Sequence, residues 1–220
     1  MEKIVALAFC LALFLIALAI PATAQTANTA ACQRTVSALN AEQRVKLSAW
    51  IKQEPAGQDL TVDHLCAIDA KSAVVALIDF NGLDSAVYVV NFGAAQATAR
   101  RVWSGAIDAA SLLRPDGGSL KLVFATQAAA RTPGARAFER RVMLLDLATA
   151  QSETLASGII DPSGACRGSR LLRLYPRVAD INRDGQPDIV VEREEIGCDQ
   201  DKPARRQENF LAGGAGYRRQ

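Results

Sequence analysis

From residue 72 onward, apolar positions fall into short runs and alternations punctuated by Gly, Pro, Asn and Asp. That spacing belongs to strands and turns. Residues 73–80 form a run, apolar except for Asp79, of the kind found in strands buried on both faces. Asn81-Gly82 is a strong hairpin signal, and 86–91 is the returning strand. A short strand is predicted at 98–103, and another at 120–126 after the turn Pro115-Asp116-Gly117-Gly118. A loop at 128–137, marked by Pro133-Gly134, precedes a strand at 138–147. A turn at 149–152 leads into 153–156. Strands at 171–178 and 188–194 flank an oxygen-rich loop, and 208–211 and 217–219 close the chain.

One helix interrupts this pattern. Asn40 with Gln43 three residues later is a capping-box pair. Leu47, Trp50 and Ile51 make an apolar stripe at i, i+3 and i+4, read as a core contact, and Pro55 and Gly57 stop it. Residues 61–69 read as a turn or a single helical turn. His64 has no companion nucleophile and is assigned a structural role. Residues 25–31 are small and polar, have nothing to bury, and are expected to be a disordered lead.

The segment Val87-Tyr88-Val89-Val90-Asn91-Phe92-Gly93 resembles Val142-Met143-Leu144-Leu145-Asp146-Leu147-Ala148. Each is followed by a polar turn and a further short strand, at a spacing of about 55 residues. Three such units, each of three or four strands, are expected, and a closed propeller usually needs at least four. The expected fold is mainly β. It consists of repeated antiparallel β-meander units, open propeller-like or sandwich, with one N-terminal α-helix.

The start of the chain sets the compartment. Lys3, the apolar run 4–20 and Ala22-Thr23-Ala24 have the layout of a signal peptide over residues 1–24, with cleavage after Ala24 and no membrane span afterwards. Residues 32–220 are then one β-rich domain, periplasmic or secreted. Its four cysteines, Cys32, Cys66, Cys166 and Cys198, are expected to form disulfides in an oxidising compartment. The pairs Cys32–Cys66 and Cys166–Cys198 each close one local unit; the second brackets the oxygen-rich loop and adds roughly 3 kcal/mol. A zinc site is a poor match, because there is no Cys-x-x-Cys and His64 is the single histidine.

Net charge is +2 and aromatics make up 5%. Neither a strong field nor stacking platforms point to nucleic acid. Charge is uneven, however. Eight acidic residues and two arginines lie between Asp180 and Asp201, with Arg167, Arg170, Arg173 and Arg177 before them and Arg205, Arg206, Arg218 and Arg219 after. Arg173 and Arg177 share a strand face provided that Pro176 introduces no bulge. The run reads as a solvated, internally paired face rather than a surface for an acidic partner.

The loop itself carries the most specific chemistry. Asp180, Asn182, Asp184 and Asp188 occupy positions 1, 3, 5 and 9; Gly185 occupies position 6; Gln186 offers a carbonyl at position 7. Hard cations take such oxygen sets from a loop that curls at a glycine. Position 12 is Val191 rather than the bidentate Glu of an EF-hand, and an apolar strand follows instead of a helix. The pattern Asp-x-Asn-x-Asp-Gly-x-x-Asp before an apolar strand resembles the calcium loop of FG-GAP-type, integrin-like β repeats, over residues 178–191. That resemblance implies Ca²⁺ held by Asp180, Asn182, Asp184 and Asp188 with the Gln186 carbonyl, in a loop joining two antiparallel strands. The expected function is an exported, non-catalytic β module with a structural or partner-binding role in the cell envelope, its partner a protein or an envelope polymer. An envelope hydrolase working through carboxylates such as Asp161, Glu194 or Glu195 is the alternative, although Glu194 and Glu195 must point to opposite strand faces. A periplasmic inhibitor or chaperone-like binder is a third reading.

Overall fold

The computed structural model describes residues 29–54, 59–79, 85–129, 137–161, 168–213 and 216–220. The expected signal peptide, the helix stop at Pro55 and Gly57, the Asn81-Gly82 turn, the Pro133-Gly134 loop and Cys166 lie outside these residues.

In chain order the elements are β1 (Thr29–Ala31), a 3-10 turn (Val36–Ala38), α1 (Ala41–Ile51), β2 (Leu60–Ala67), β3 (Ser72–Asp79), β4 (Ala86–Asn91), β5 (Thr98–Ser104) and β6 (Asp108–Leu113). They continue with β7 (Lys121–Ala129), β8 (Phe138–Asp146), β9 (Ser152–Ile160), β10 (Leu171–Ala179), β11 (Asp188–Ile196), β12 (Ala204–Gly213) and β13 (Gly216–Arg219). Three antiparallel sheets result: a first sheet β2-β3-β4-β5, a middle sheet β1-β6-β7-β8-β9 and a last sheet β10-β11-β12-β13. Apart from β1, each is a meander of four consecutive strands. The paired segments 87–93 and 142–148 fall on β4 and β8, the third strand of consecutive meanders, so the repeat in the sequence is a repeat in the fold.

Burial explains which strands alternate and which do not. The middle sheet is covered on both sides. Leu122, Phe124, Met143 and Leu145 meet Val74, Ala76 and Val87 of the first sheet. On its other face Val123, Val142 and Leu144 meet Leu172, Leu174, Ile189 and Val191 of the last sheet. The Trp103 and Phe124 rings cross edge to face with centroids 5.2 Å apart, within the roughly 4.5–7 Å range of such pairs. The first sheet is covered on its outer face by α1, whose Leu47 and Trp50 pack on Val75, Leu77, Tyr88 and Val90. Trp50 meets Tyr88 edge to face at 5.0 Å. The capping box forms as expected, with the Gln43 N–H donating to Asn40 Oδ1 and the Asn40 N–H donating to Gln43 Oε1, both at 2.9 Å.

Two sequence expectations are corrected, and one strand, β6, was not expected at all. Residues 29–31 are not disordered: they pair with β6 as an added strand, and the Cys32 N–H donates to Ala110 O at 3.1 Å. Residues 60–67 are a strand rather than a turn, with a bulge between Val62 and His64; beyond it His64 and Leu65 face opposite ways and both are buried, because the sheet is covered on both sides. The strand β6 carries little apolar signal because Asp108 and Ala109 open it, and Ala109 takes φ 49° at a second bulge. The Cys32–Cys66 disulfide forms. It links the β1 end of the middle sheet to β2 of the first.

Candidate metal loop

The loop is the β10–β11 hairpin. Pairing runs without a break down to Ala179↔Asp188, so the residues between them must reverse the chain alone. Gly185 does this with φ 83°, and Arg183 also takes a left-handed conformation at φ 63°. A Cβ at residue 185 would meet nothing within 4 Å, so glycine is required by backbone conformation and not by space.

Side-chain oxygens turn inward to satisfy this curled backbone. Asp180 accepts from the Asp184 and Gly185 N–H groups, each at 3.1 Å. Asn182 Oδ1 accepts from the same Asp184 N–H at 3.2 Å, so the Asp180 and Asn182 oxygens meet at one point. Asn182 Nδ2 donates to Asp184 Oδ2 at 2.7 Å, and Asp184 Oδ1 accepts from the Gln186 N–H at 2.8 Å. The loop therefore brings together Asp180, Asn182 and Asp184. All three carry side-chain oxygens, the ligand type that hard divalent ions take. Among the described residues, no three His, Cys, Asp or Glu side chains form a metal-holding group; here two carboxylates and one amide oxygen are gathered.

Asp188 is placed differently. It is fully buried, and its two oxygens accept from the Ile181 N–H at 2.9 Å and the Ala212 N–H at 2.8 Å. It ties the loop to β12. Tyr217 on β13 adds a second tie, its hydroxyl donating to Pro187 O at 2.8 Å. Burial, and then the charge of Asp188, push the Tyr217 phenol above its ordinary pKa. The Gln186 side chain points away from the loop altogether. It accepts from the Asp116 N–H at 2.9 Å and donates to the Asp116 carboxylate, fastening the last sheet to the β6–β7 turn of the middle sheet. A cavity of about 580 Å³ lies beside this junction, with Asp116, Lys121, Asp146, Asp184 and Gln186 in its walls. None of these long-range ties was predicted from sequence. The Pro115-Asp116-Gly117-Gly118 turn was legible as a turn, but nothing in its spacing says which loop it meets.

The carboxylates considered for catalysis are dispersed. Asp161 is buried just beyond β9. Glu194 lies on the outer face of the last sheet between Arg205 at 2.9 Å and Arg173 at 3.2 Å. The Arg205 hydrogen bond, followed by that of Arg173, holds its pKa below the ordinary value despite some desolvation. Glu195 lies on the inner face, 2.6 Å from Arg193. His64 is buried with Nδ1 2.9 Å from the Asp63 carboxylate. Pro176 leaves the β10–β11 register intact because it sits on an edge strand, so Arg173 and Arg177 do share a face. Cys198 makes no disulfide among the described residues, and its thiol donates to Gly168 O at 3.3 Å. Comparison with protein-family models, curated proteins and solved structures finds no match.

Proposed function

We propose that this chain is an exported, non-catalytic β module, built as an open propeller-like stack, whose β10–β11 loop binds Ca²⁺ and so stiffens a surface used for structure or partner binding in the cell envelope. The observation that carries the reading is the inward convergence of the Asp180 and Asn182 oxygens on the Asp184 N–H, on a loop reversed at Gly185. Asp180, Asn182 and Asp184 would hold the ion with the Gln186 carbonyl, and Asp188 would complete the set with lone pairs that its two amide bonds leave over. The ion would relieve repulsion among carboxylates crowded into one turn.

One further feature agrees with export. The Cys32–Cys66 disulfide suits an oxidising compartment. Among the described residues, no helix is long and apolar enough to cross a membrane.

The test is calorimetry and thermal melting with Ca²⁺ and with chelator, on the wild type and on a D180N/D184N double variant. Saturable Ca²⁺ binding is expected in the wild type, with stabilisation of about 2.7 kcal/mol at a hundredfold excess over Kd, and neither effect in the variant. Identical wild-type melts in Ca²⁺ and chelator, with no heat of binding, would remove the metal from the proposal.

A further inference from the structure

The inner face of the last sheet changes character part-way along its strands. Near the hairpin it presents Ile189, Val191 and Phe210 to the middle sheet. Farther along, the same face carries Arg193 and Glu195 on β11 and Arg206 on β12, and toward the β13 edge it carries Glu208, level with Val191, and Arg219, level with Phe210. Arg193, Arg206, Glu208 and Arg219, together with residues 154–157 of β9, line a cleft of about 390 Å³.

Charge in this cleft is incompletely matched. Arg193 and Arg206 stand directly opposite each other in register, an arrangement that disfavours like charges. Glu195 serves both, 2.6 Å from Arg193 but 3.7 Å from Arg206, beyond hydrogen-bond length. Arg219 meets Glu208 at 3.2 Å. Three guanidinium groups thus share two carboxylates.

The cleft also has a fixed wall. Arg193 is 13% exposed and donates to Ser157 O on β9 at 3.0 Å. Its approach requires Gly158, because a Cβ there would lie 2.5 Å from Leu172 Cδ2 and 3.1 Å from Arg193 Nη2. Against this wall, Arg206 and Arg219 keep side chains that are 57% and 66% exposed and able to close on a ligand.

We propose that the cleft is a phosphate site, taking a phosphate group either free or as an ester, bound by the guanidinium forks of Arg206 and Arg219 with Arg193 as fixed positive charge behind them. Guanidinium pairs phosphate oxygens in bidentate geometry, and a tetrahedral group can face two strands at once where a planar carboxylate faces one. The cleft is several times the roughly 30 Å³ occupied by one water, which leaves room along β9 for the alcohol part of an ester.

The test is a titration of the full chain, followed by NMR amide shifts and calorimetry, with inorganic phosphate, glycerol phosphate and acetate at constant ionic strength and with chelator present, so that the Ca²⁺ loop plays no part. Saturable shifts are expected at Ser157 and Arg206, with binding weakened about tenfold or more in R206Q/R219Q. Tighter binding of the ester than of phosphate assigns the ester as ligand, and equal binding assigns the free ion. No saturable shift at millimolar phosphate or ester overturns the proposal. So does an unchanged response in the variant, or an equal response to acetate. Should the double variant fail to fold, R219Q alone decides the matter, since that side chain is two-thirds exposed.

Discussion

The first and last sheets share the same four-strand meander and both pack one face on the middle sheet, yet their outer faces are finished in opposite ways. The first sheet leaves Val75, Leu77, Tyr88 and Val90 on its outer side and buries them under α1. The last sheet presents Arg173, Arg177, Glu192, Glu194 and Arg205 instead, and stops. An apolar outer face must recruit a cover, because a contiguous exposed apolar patch of that size is a site of association. A face of cross-strand ion pairs needs none. A stack of meanders can therefore end either by capping or by charge, and this chain uses one device at each end.

The comparison is most directly broken by removing the cap. Trp50→Ala should cost about 3–5 kcal/mol, through loss of burial and of the Tyr88 contact, and lower the urea midpoint accordingly. Next in size is the tie between the first and middle sheets. A C32S/C66S variant should lose roughly 3–4 kcal/mol by the loop-entropy argument, again read from urea unfolding under oxidising conditions.

A smaller effect lies in the middle sheet. Burial alone would raise the Asp146 pKa, but bonds from Ser119, the Thr149 N–H, Lys121 and the Ala148 N–H outweigh it and hold the folded value well below the ordinary carboxylate value. The folded pKa is thus lower than the unfolded one. Its contribution is present above the unfolded pKa and is lost as pH falls below it. Melts between about pH 6 and pH 3 should show a shallower acid slope in Asp146→Asn than in the wild type. Smallest of all should be the bare end. E194Q/R205Q should leave the neutral-pH Tm at the wild-type value, because both charges lie on a surface where salt and water screen them. A large loss there would mean that the ion pairs, and not the packing beneath them, hold the last sheet.

The contrast between the ends was partly readable. Residues 73–78 are apolar without interruption, which announces a strand with two covered faces. Residues 171–178 alternate Leu172, Leu174 and Pro176 with Arg173, Tyr175 and Arg177, which announces one covered face. The helix was legible from Asn40, Gln43 and its stripe. By contrast, β1, β2 and β6 were missed. β1 pairs with β6, distant in sequence, while β2 and β6 carry bulges at Val62/His64 and Asp108/Ala110 that break the period of two. In the loop, spacing singled out Gly185, whose positive φ reverses the chain, and Asp180, Asn182 and Asp184, whose side chains meet there. It did not reveal that Asp188 anchors to Ala212, that Gln186 reaches Asp116, or that Tyr217 holds Pro187.

Local chemistry, then, was written in the chain itself: residue types with a period of two or 3.6, a capping pair, and oxygens spaced around a glycine depend only on near neighbours. The assembly decided which face met which, where Arg193 found Ser157, and how Asp188 became a buried strut. Those outcomes depend on contacts across tens of residues, made only when separate meanders stack and exclude water between them.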